Sequence, residues 1–375
     1  MNDSLPGMAE RASVVADRFE PLFWYIVAWT GAGFLLVSVI LAYFCIQYRR
    51  GPGGPISTPR ILGSHRLELF WTLTPLFIFF TFYAWGVWIY NGVVQTPPDA
   101  PEIFVIGKQW MWKAQYPGGQ RVIVGGNPGN MSEEDQAHIG ALVLPLDRPV
   151  KVTFISEDVI HDFGVPAFRQ KIDVVPGRYV STVYHPTKLG EFHVFCDQYC
   201  GTWHSLMVGK IKVVPADEFE LFIQGKGGAQ GSPNPVDGSM AQKGWQHFQR
   251  LQCQSCHVPN AGAGTRLHPR APSLEGLFGQ TVPLHGGGTV VADEPYIRES
   301  IVNPRAKVVE GWEPVMPGNY ESQVTPEELN ELVAYIRWLK PGGMIAPNDR
   351  APAPFGAPRV TPPQSTPSGS SGGKQ

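Results

Sequence analysis

Two long uncharged apolar runs constrain the fold more than any other feature of this sequence. Residues 23–48 read FWYIVAWTGAGFLLVSVILAYFCIQY, and residues 69–93 read LFWTLTPLFIFFTFYAWGVWIYNGV. As an α-helix the first run would be roughly 39 Å long, which exceeds the ~30 Å hydrocarbon core of a bilayer. Neither run has the polar periodicity of a helix at the surface of a soluble domain. We therefore predict a transmembrane hairpin over residues 21–93, with Pro75 tolerated near the start of the second helix.

The charges that flank these runs predict their orientation. Arg49, Arg50, Arg60 and Arg66 lie between the two runs, whereas acidic residues balance the two arginines of residues 1–20. By the positive-inside rule the intervening loop is cytoplasmic, so both ends of the chain lie outside. We predict a multi-pass membrane protein, with everything after Val93 on the oxidising, extracytoplasmic side.

Beyond the second run, the patterning predicts two further domains. PVKVTFIS and EFHVFC alternate apolar with polar residues between glycine and proline turns, which indicates strands of a small β-sandwich. TPEELNELVAYIRWLK predicts the closing helix of a helical domain, with Thr325 and Glu328 in a capping box. The predicted order is an N-terminal extracytoplasmic segment (1–20), the hairpin (21–93), the β domain (94–216), a flexible linker (217–239), an all-α domain (240–345) and a disordered tail (346–375). A net charge of −2 provides no basic field for binding nucleic acid.

The motif CQSCH predicts a covalently attached c-type haem. Cys253, Cys256 and His257 are spaced so that one helical turn presents all three to the same porphyrin. A zinc site would need a second ligand pair at a matching spacing, and the sequence offers none. For the second axial ligand we predict Met316, which prolines flank in EPVMPGN, with His268 and His285 as rivals.

The stretch CDQYCGTWHSLM, residues 196–207, predicts a metal site of a different kind. Cys196 and Cys200 could form a disulfide, and zinc could bind both thiols together with His204. Zinc has little use for Met207, whereas copper binds thiolate, imidazole and thioether ligands together. A mononuclear blue-copper site needs one cysteine, so the second cysteine predicts two copper ions bridged by two thiolates. His161, in SEDVIHDFGVP, is the predicted second imidazole.

Together these motifs resemble subunit II of the heme–copper cytochrome c oxidases. HDFGVPAFRQKIDVVPGR and CDQYCGTWHSLM match that family's binuclear CuA signature, and the haem domain resembles its cytochrome-c-fused bacterial branch. The resemblance implies a multidomain membrane protein with a two-helix hairpin, a cupredoxin β-sandwich and an all-α cytochrome c domain. It implies the following CuA ligands: His161 and His204 on separate coppers, Cys196 and Cys200 as bridges, and Met207 and the Gln198 carbonyl as weak axial ligands. Many members have glutamate at position 198, where it contacts Mg²⁺ beside subunit I, so glutamine weakens that contact.

The same resemblance implies three further functional positions. Trp110 and Trp112 match an aromatic patch through which electrons enter, and their spacing of two predicts that both lie on one face of a strand. The alternative is that they are core residues. Glu68 matches an acid at the mouth of a proton channel in subunit I, or it is an ordinary interfacial carboxylate.

The resemblance finally implies a function. The chain would be the electron-entry subunit of a proton-pumping oxidase, passing electrons from haem to CuA and on to subunit I for O2 reduction. Implied partners are subunit I and other oxidase subunits, membrane lipid, and cytochrome c or a bc-type complex as donor. Subunit II of a CuA-containing nitric oxide reductase is the nearest alternative. A copper-delivery protein would also pair C-x3-C with a distant histidine, but without the His204 and Met207 continuation or a fused haem domain.

Overall fold

The computed structural model describes residues 9–49, 51, 63–225, 239–257 and 270–339. Several predictions concern positions outside these ranges: Arg50 and Arg60, most of the linker, the rival haem ligand His268 and the tail at 346–375. The described chain consists of a helical hairpin, a β domain and a mostly helical domain, in that order.

The hairpin consists of α1 (Val14–Gln47) and α2 (His65–Val94). Both helices are long and apolar enough to cross a membrane, by length and composition. They pack in antiparallel fashion, because Tyr25 lies against Phe82 and Trp85 and its hydroxyl is 3.1 Å from that of Thr81. Most of their other apolar side chains face outward, which suits contact with lipid or with another membrane subunit.

Helix α1 begins at Val14, within the segment 1–20 that was predicted to precede the hairpin. Ser13 is its N-cap: the Ser13 hydroxyl accepts a hydrogen bond from the Ala16 amide and donates one to the Phe168 carbonyl of the β domain. Glu20, about two turns further on, forms an ion pair with Arg169. The first turns of α1 are therefore fixed to the β domain by polar contacts that no apolar pattern reveals.

The β domain is one ten-stranded sheet that curls into a barrel. Its strands are β1 (Glu102–Lys108), β2 (Met111–Gln115), β3 (Arg121–Gly126), β4 (Leu142–Pro145), β5 (Val150–Ser156), β6 (His161–Val165), β7 (Gln170–Val174), β8 (Val180–Tyr184), β9 (Gly190–Cys196) and β10 (Val208–Val214). Nine strands follow the order β7-β6-β9-β10-β3-β2-β1-β5-β8, and β4 pairs with β10. The two end strands, β7 and β8, meet where the side-chain amide of Gln170 donates to the backbone carbonyl of Val183 at 3.1 Å. Two short helices, α3 (Glu133–Ala137) and α4 (Ala216–Ile223), complete this cupredoxin-like fold, as predicted.

Alternation along β2 separates the barrel core from its outer surface. Trp112 and Ala114 point inward and are fully buried, whereas Lys113 and Gln115 point outward. The core is continuous and contains residues from nearly every strand, including Phe154, Phe163 and Tyr184. This packing fixes the ends of β6, β9 and β10 relative to one another.

The C-terminal domain contains α5 (Met240–Arg250), α6 (Glu294–Val302) and α7 (Pro326–Trp338). The capping box of Thr325 and Glu328 is present at the start of α7, as predicted. Helices α5 and α7 cross closely at Gly244, where a Cβ would lie 1.9 Å from the Glu331 carbonyl oxygen. The domain is not purely helical, because β11 (Thr281–Pro283) and β12 (Thr289–Val291) form a hairpin whose turn contains glycines with positive φ.

Candidate metal centres

The predicted copper ligands meet at one edge of the barrel. They occupy the start of β6 (His161), the end of β9 (Cys196), the following loop (Gln198 and Cys200), a 3-10 turn (His204) and the residue before β10 (Met207). Because β9 is antiparallel to both β6 and β10, these strand ends lie at the same edge. The sheet thus brings together a histidine and a cysteine that are 35 positions apart in the chain.

The donor atoms of these residues are already close together. The Cys196 Sγ lies 3.8 Å from the Cys200 Sγ, 3.9 Å from the His161 Nδ1 and 3.3 Å from the Gln198 carbonyl oxygen. The Cys200 Sγ lies 3.5 Å from the His204 Nδ1 and 3.8 Å from the Met207 Sδ. A disulfide would need a separation of about 2.05 Å, so the two thiols are free.

Asp158 orients the buried ring of His161. The Asp158 Oδ1 lies 2.9 Å from the His161 Nε2, and the amides of Gln109 and Val159 donate to the same carboxylate at 2.7 Å. Burial works to lower the pKa of His161, but the Asp158 hydrogen bond raises it, and the net direction is upward. With its proton held on Nε2, the ring directs its Nδ1 lone pair toward Cys196, as metal-bound histidines do.

The two thiols differ in their ionisation. Burial works to raise the pKa of Cys196, but hydrogen bonds with His161 and with backbone groups outweigh it and lower that pKa. Burial and the neighbouring Cys196 raise the pKa of Cys200 to about 12. In the absence of a bound cation, Cys200 is therefore a neutral thiol at neutral pH, and Cys196 is the more readily ionised of the two.

These donors fit copper better than zinc. Zinc would be satisfied by two thiolates and two imidazoles and would leave the fully buried Met207 without a role. A thioether is a ligand that copper uses. The pair of adjacent thiols between two imidazoles fits two copper ions that share both sulfurs.

The predicted haem residues line an apolar cavity of about 330 Å³ in the C-terminal domain. Cys253 and Cys256 lie on and just after a 3-10 turn (Cys253–Ser255), and His257 follows them. Met316 lies on an irregular segment and lines the same cavity. The rival His285 is exposed and is not among the lining residues.

A backbone carbonyl fixes the His257 ring. The His257 Nδ1 lies 2.8 Å from the Pro272 carbonyl oxygen, so the proton is on Nδ1 and Nε2 is free to bind iron. Burial lowers the pKa of His257, with partial opposition from that hydrogen bond, so the ring is neutral, as an iron ligand requires. The arrangement fits a haem held by two thioethers and by one imidazole, with Met316 available as the second axial ligand.

The prediction that Trp110 and Trp112 share one face of one strand is wrong. Trp110 lies in the turn before β2, where its indole N–H donates to the Cys200 carbonyl at 3.2 Å and its ring packs on Trp203. Trp112 lies within β2 and is fully buried, with its ring centroid 5.7 Å from that of His161. Because Trp110 lies in the turn and Trp112 lies within the strand, only Trp110 is near the surface, and Trp112 is a core residue behind His161.

Glu68 lies in the first turn of α2, where its carboxylate is 3.2 Å from the His65 Nδ1. Both side chains are largely exposed.

The residues that sequence reasoning missed are Asp158 and Pro272, which orient the two imidazoles. The position of Asp158, three residues before His161, was a usable signal, whereas the approach of Pro272 to His257 depends on the folded chain.

Two family models match this chain. The model of the cytochrome c oxidase subunit II periplasmic domain matches residues 102–214. The cytochrome c model matches residues 241–340. The two matches do not overlap, are separated by residues 215–240, and cover the barrel and the haem-motif domain respectively.

Curated relatives point the same way. The alternative cytochrome c oxidase subunit 2 of Bradyrhizobium diazoefficiens is 29% identical over 226 residues, covering 56% of this chain and 79% of its own length. Cytochrome c oxidase subunit 2 of Alkalihalophilus pseudofirmus is 26% identical over 316 residues, covering 82% of this chain and 83% of its own length. The solved periplasmic domain of cytochrome oxidase subunit II from Bradyrhizobium japonicum is 30% identical, with 35% of this chain and 95% of that domain covered and a TM-score of 0.30.

Proposed function

This chain belongs to the cytochrome c oxidase subunit II family, with a cytochrome c domain behind its copper domain, and we propose that it is the electron-entry subunit of a proton-pumping oxidase. Electrons would pass from its c-type haem to a binuclear CuA centre and then to subunit I, where O2 is reduced. The observation that carries the proposal is the convergence of six copper donors in the barrel of a chain that also has a haem-attachment motif beside an apolar cavity.

Each residue of the barrel site has a proposed role. His161 and His204 would each hold one copper, Cys196 and Cys200 would be shared between the two ions, and Met207 and the Gln198 carbonyl would be the weaker donors. Bound copper supplies a one-electron carrier whose charge the two thiolates share. The protein excludes water from this carrier, because His161, Cys196, Cys200 and Met207 are all buried.

Each residue of the haem site also has a proposed role. Cys253 and Cys256 form the thioethers, and His257 and Met316 are the axial ligands. Methionine–histidine ligation raises a haem's reduction potential, which suits an electron carrier. The prolines on either side of Met316 restrict its segment, which favours a fixed ligand position.

The surface beside the copper site is suited to a protein partner. Tyr199, Trp203 and Leu206 are exposed around the ligand loop, and Trp110 lies beneath Trp203. We propose that this surface faces subunit I or an electron donor, with Trp110 as the entry residue. A cytochrome c or a bc-type complex would supply electrons to the haem domain.

The membrane hairpin supports the proposed location. Apolar α1 and α2 would anchor the chain in a bacterial inner membrane, with both metal domains in the periplasm and the loop between the helices in the cytoplasm. Glu68 would lie at the cytoplasmic end of α2, in reach of a proton channel in subunit I. Gln198 has an exposed amide where a carboxylate would favour Mg²⁺, so we expect weak Mg²⁺ binding there.

Purification in mild detergent tests the proposal. We expect two coppers and one covalent haem per chain, a mixed-valence EPR signal, and a co-purifying large subunit whose complex consumes O2. One copper per chain with a blue-copper spectrum would exclude the binuclear centre. Consumption of NO in place of O2 would assign the chain to a nitric oxide reductase.

A further inference from the structure

The outer face of β2 and β3 is covered by the haem domain. Lys113 and Gln115 point out of the barrel, a direction in which side chains normally meet water, yet they are only 5% and 4% exposed. The covering element is α7, whose Asn330 and Glu331 are 1% and 7% exposed. The two domains are therefore in direct contact through polar side chains.

An amide network joins the domains at the centre of this contact. The Asn330 side-chain amide donates to the Gln115 Oε1 at 3.1 Å, and the Gln115 amide donates to the Glu331 Oε1 at 3.3 Å. Arg298 of α6 donates to the Asn330 Oδ1 at 3.0 Å, and its guanidinium lies 4.2 Å from the ring centre of Tyr179 in the β domain. In the side chains of Gln115 and Asn330, each amide N–H thus meets an acceptor and each amide oxygen meets a donor. These pairings require one relative position of the two domains.

Opposite charges surround the amide network. The Glu327 carboxylate lies 3.4 Å from the Arg121 Nε and 3.9 Å from the Lys113 Nζ. Lys113 also contacts Glu157 at 3.3 Å, and Glu157 adjoins Asp158, which holds the copper ligand His161. Burial raises the pKa of Glu327 against the opposing pull of Lys113 and Arg121. Two cations of the barrel, which also pair with the barrel carboxylates Glu157, Glu134 and Asp135, thus face Glu327 of the haem domain.

Helix α7 connects this contact with the haem site. Its residues Leu332 and Ile336 line the haem cavity, while Glu327, Asn330 and Glu331 contact the barrel. On the barrel side of the contact, Trp112 immediately precedes Lys113 in β2, and its ring packs on His161. None of the interdomain hydrogen bonds and ion pairs found in the described ranges involves Trp110.

We propose that Lys113, Gln115 and Arg121 form a docking surface for the haem domain of the same chain, which Glu327, Asn330 and Glu331 hold in one orientation. The inference rests on the proposed function, because it places α7 between the haem and the strand behind a copper ligand. These six side chains are positioning residues. They fix the separation of the two carriers, so that transfer does not depend on random encounters of tethered domains.

Lysine acetylation of the whole chain in its detergent-solubilised complex tests the docking without relying on either metal. Lys113 should react at least about tenfold more slowly than Lys210, because it is accessible only when the domains separate. Lys210 is the internal reference, since its side chain is 55% exposed. Glu327→Lys places a third cation between Lys113 and Arg121 and should remove the protection of Lys113. Fast labelling of Lys113 in the unaltered protein would overturn the proposal.

Matched variants guard against a general folding defect. Glu191→Lys reverses an exposed charge on β9, two strands from β3 in the sheet order, and should leave Lys113 protected. Because Glu191 pairs with Lys210, Lys188, whose side chain is 49% exposed, is the reference lysine in this variant. If Glu327→Lys does not accumulate, Glu327→Gln and Asn330→Ala replace it, and each should increase labelling of Lys113. Unchanged protection in all these variants would contradict the proposed contacts.

Pulsed EPR gives a second readout in the metal-loaded protein. The distance between the oxidised copper centre and the ferric haem should be a single narrow distribution that broadens in Glu327→Lys. Absence of the copper or haem signals would contradict the proposed function, and the labelling result would still decide the docking. Intact signals with a broad distance distribution in the unaltered protein would contradict the docking alone.

Discussion

The copper and haem regions of this molecule are built in opposite ways. The copper donors come from several strand ends and a loop, and their atoms already lie 3.3 to 3.9 Å apart. In the haem region, three residues of one short motif and one distant methionine line a cavity. The copper site is thus organised by sheet packing, whereas the haem residues are organised around the space that the porphyrin fills. Disturbing one site should therefore leave the other intact.

The largest effect that separates the two sites is expected from Cys200→Ser. This change removes a sulfur that lies near both Cys196 and His204. Loss of outer-shell partners alone costs about 10–100-fold in metal affinity or activity, so oxidase activity should fall by more than ~100-fold. Copper content and EPR spectra measure the outcome, and the haem spectrum should not change. A retained mixed-valence signal would remove Cys200 from the ligand set.

Met316→Ala tests the haem side of the comparison. The haem should remain attached through Cys253 and Cys256, but the methionine–iron charge-transfer band should disappear and the reduction potential should fall. The copper EPR signal serves as the control, since Met316 lies in the other domain. An unchanged haem spectrum would transfer the ligand role to another residue, including His268 or His285.

Asp158→Asn tests how far the protein, rather than the metal, orients His161. The side chain keeps its size but loses the carboxylate that holds the His161 Nε2 proton at 2.9 Å. Copper affinity should fall by about tenfold, because the imidazole becomes less basic and less fixed. Competition with a copper chelator measures the change. Equal affinity in both proteins would show that the metal alone orients the ring.

The smallest effect is expected from Thr325→Ala at the start of α7. Loss of the capping box should destabilise the haem domain by about 1 kcal/mol. Thermal unfolding followed at the haem absorbance should shift, whereas unfolding followed at the copper signal should not. Equal shifts of both signals would show that the two domains unfold as one unit. The contact between α7 and the barrel could couple their unfolding in this way.

Features that depend on residues close together in the chain could be predicted from the sequence alone. Apolar run length predicted the two membrane helices, and strand alternation predicted the barrel. The spacing of Cys253, Cys256 and His257 predicted haem attachment, and Thr325 with Glu328 predicted the start of α7. Each of these signals lies within a few turns of one segment, where periodicity and spacing act directly.

Other features depended on contacts between segments that are distant in the chain. Trp110 lies in the turn before β2 and Trp112 lies within the strand, although their spacing predicted one shared face. Ser13 bonded to Phe168 and extended α1 onto the barrel. Gln115 met Asn330, which lies 215 positions away. Sequence patterns report whether a side chain prefers water or an apolar core, but not which distant partner satisfies a buried polar group. Only the packed structure, in which each such group must find its hydrogen bond, decided these contacts.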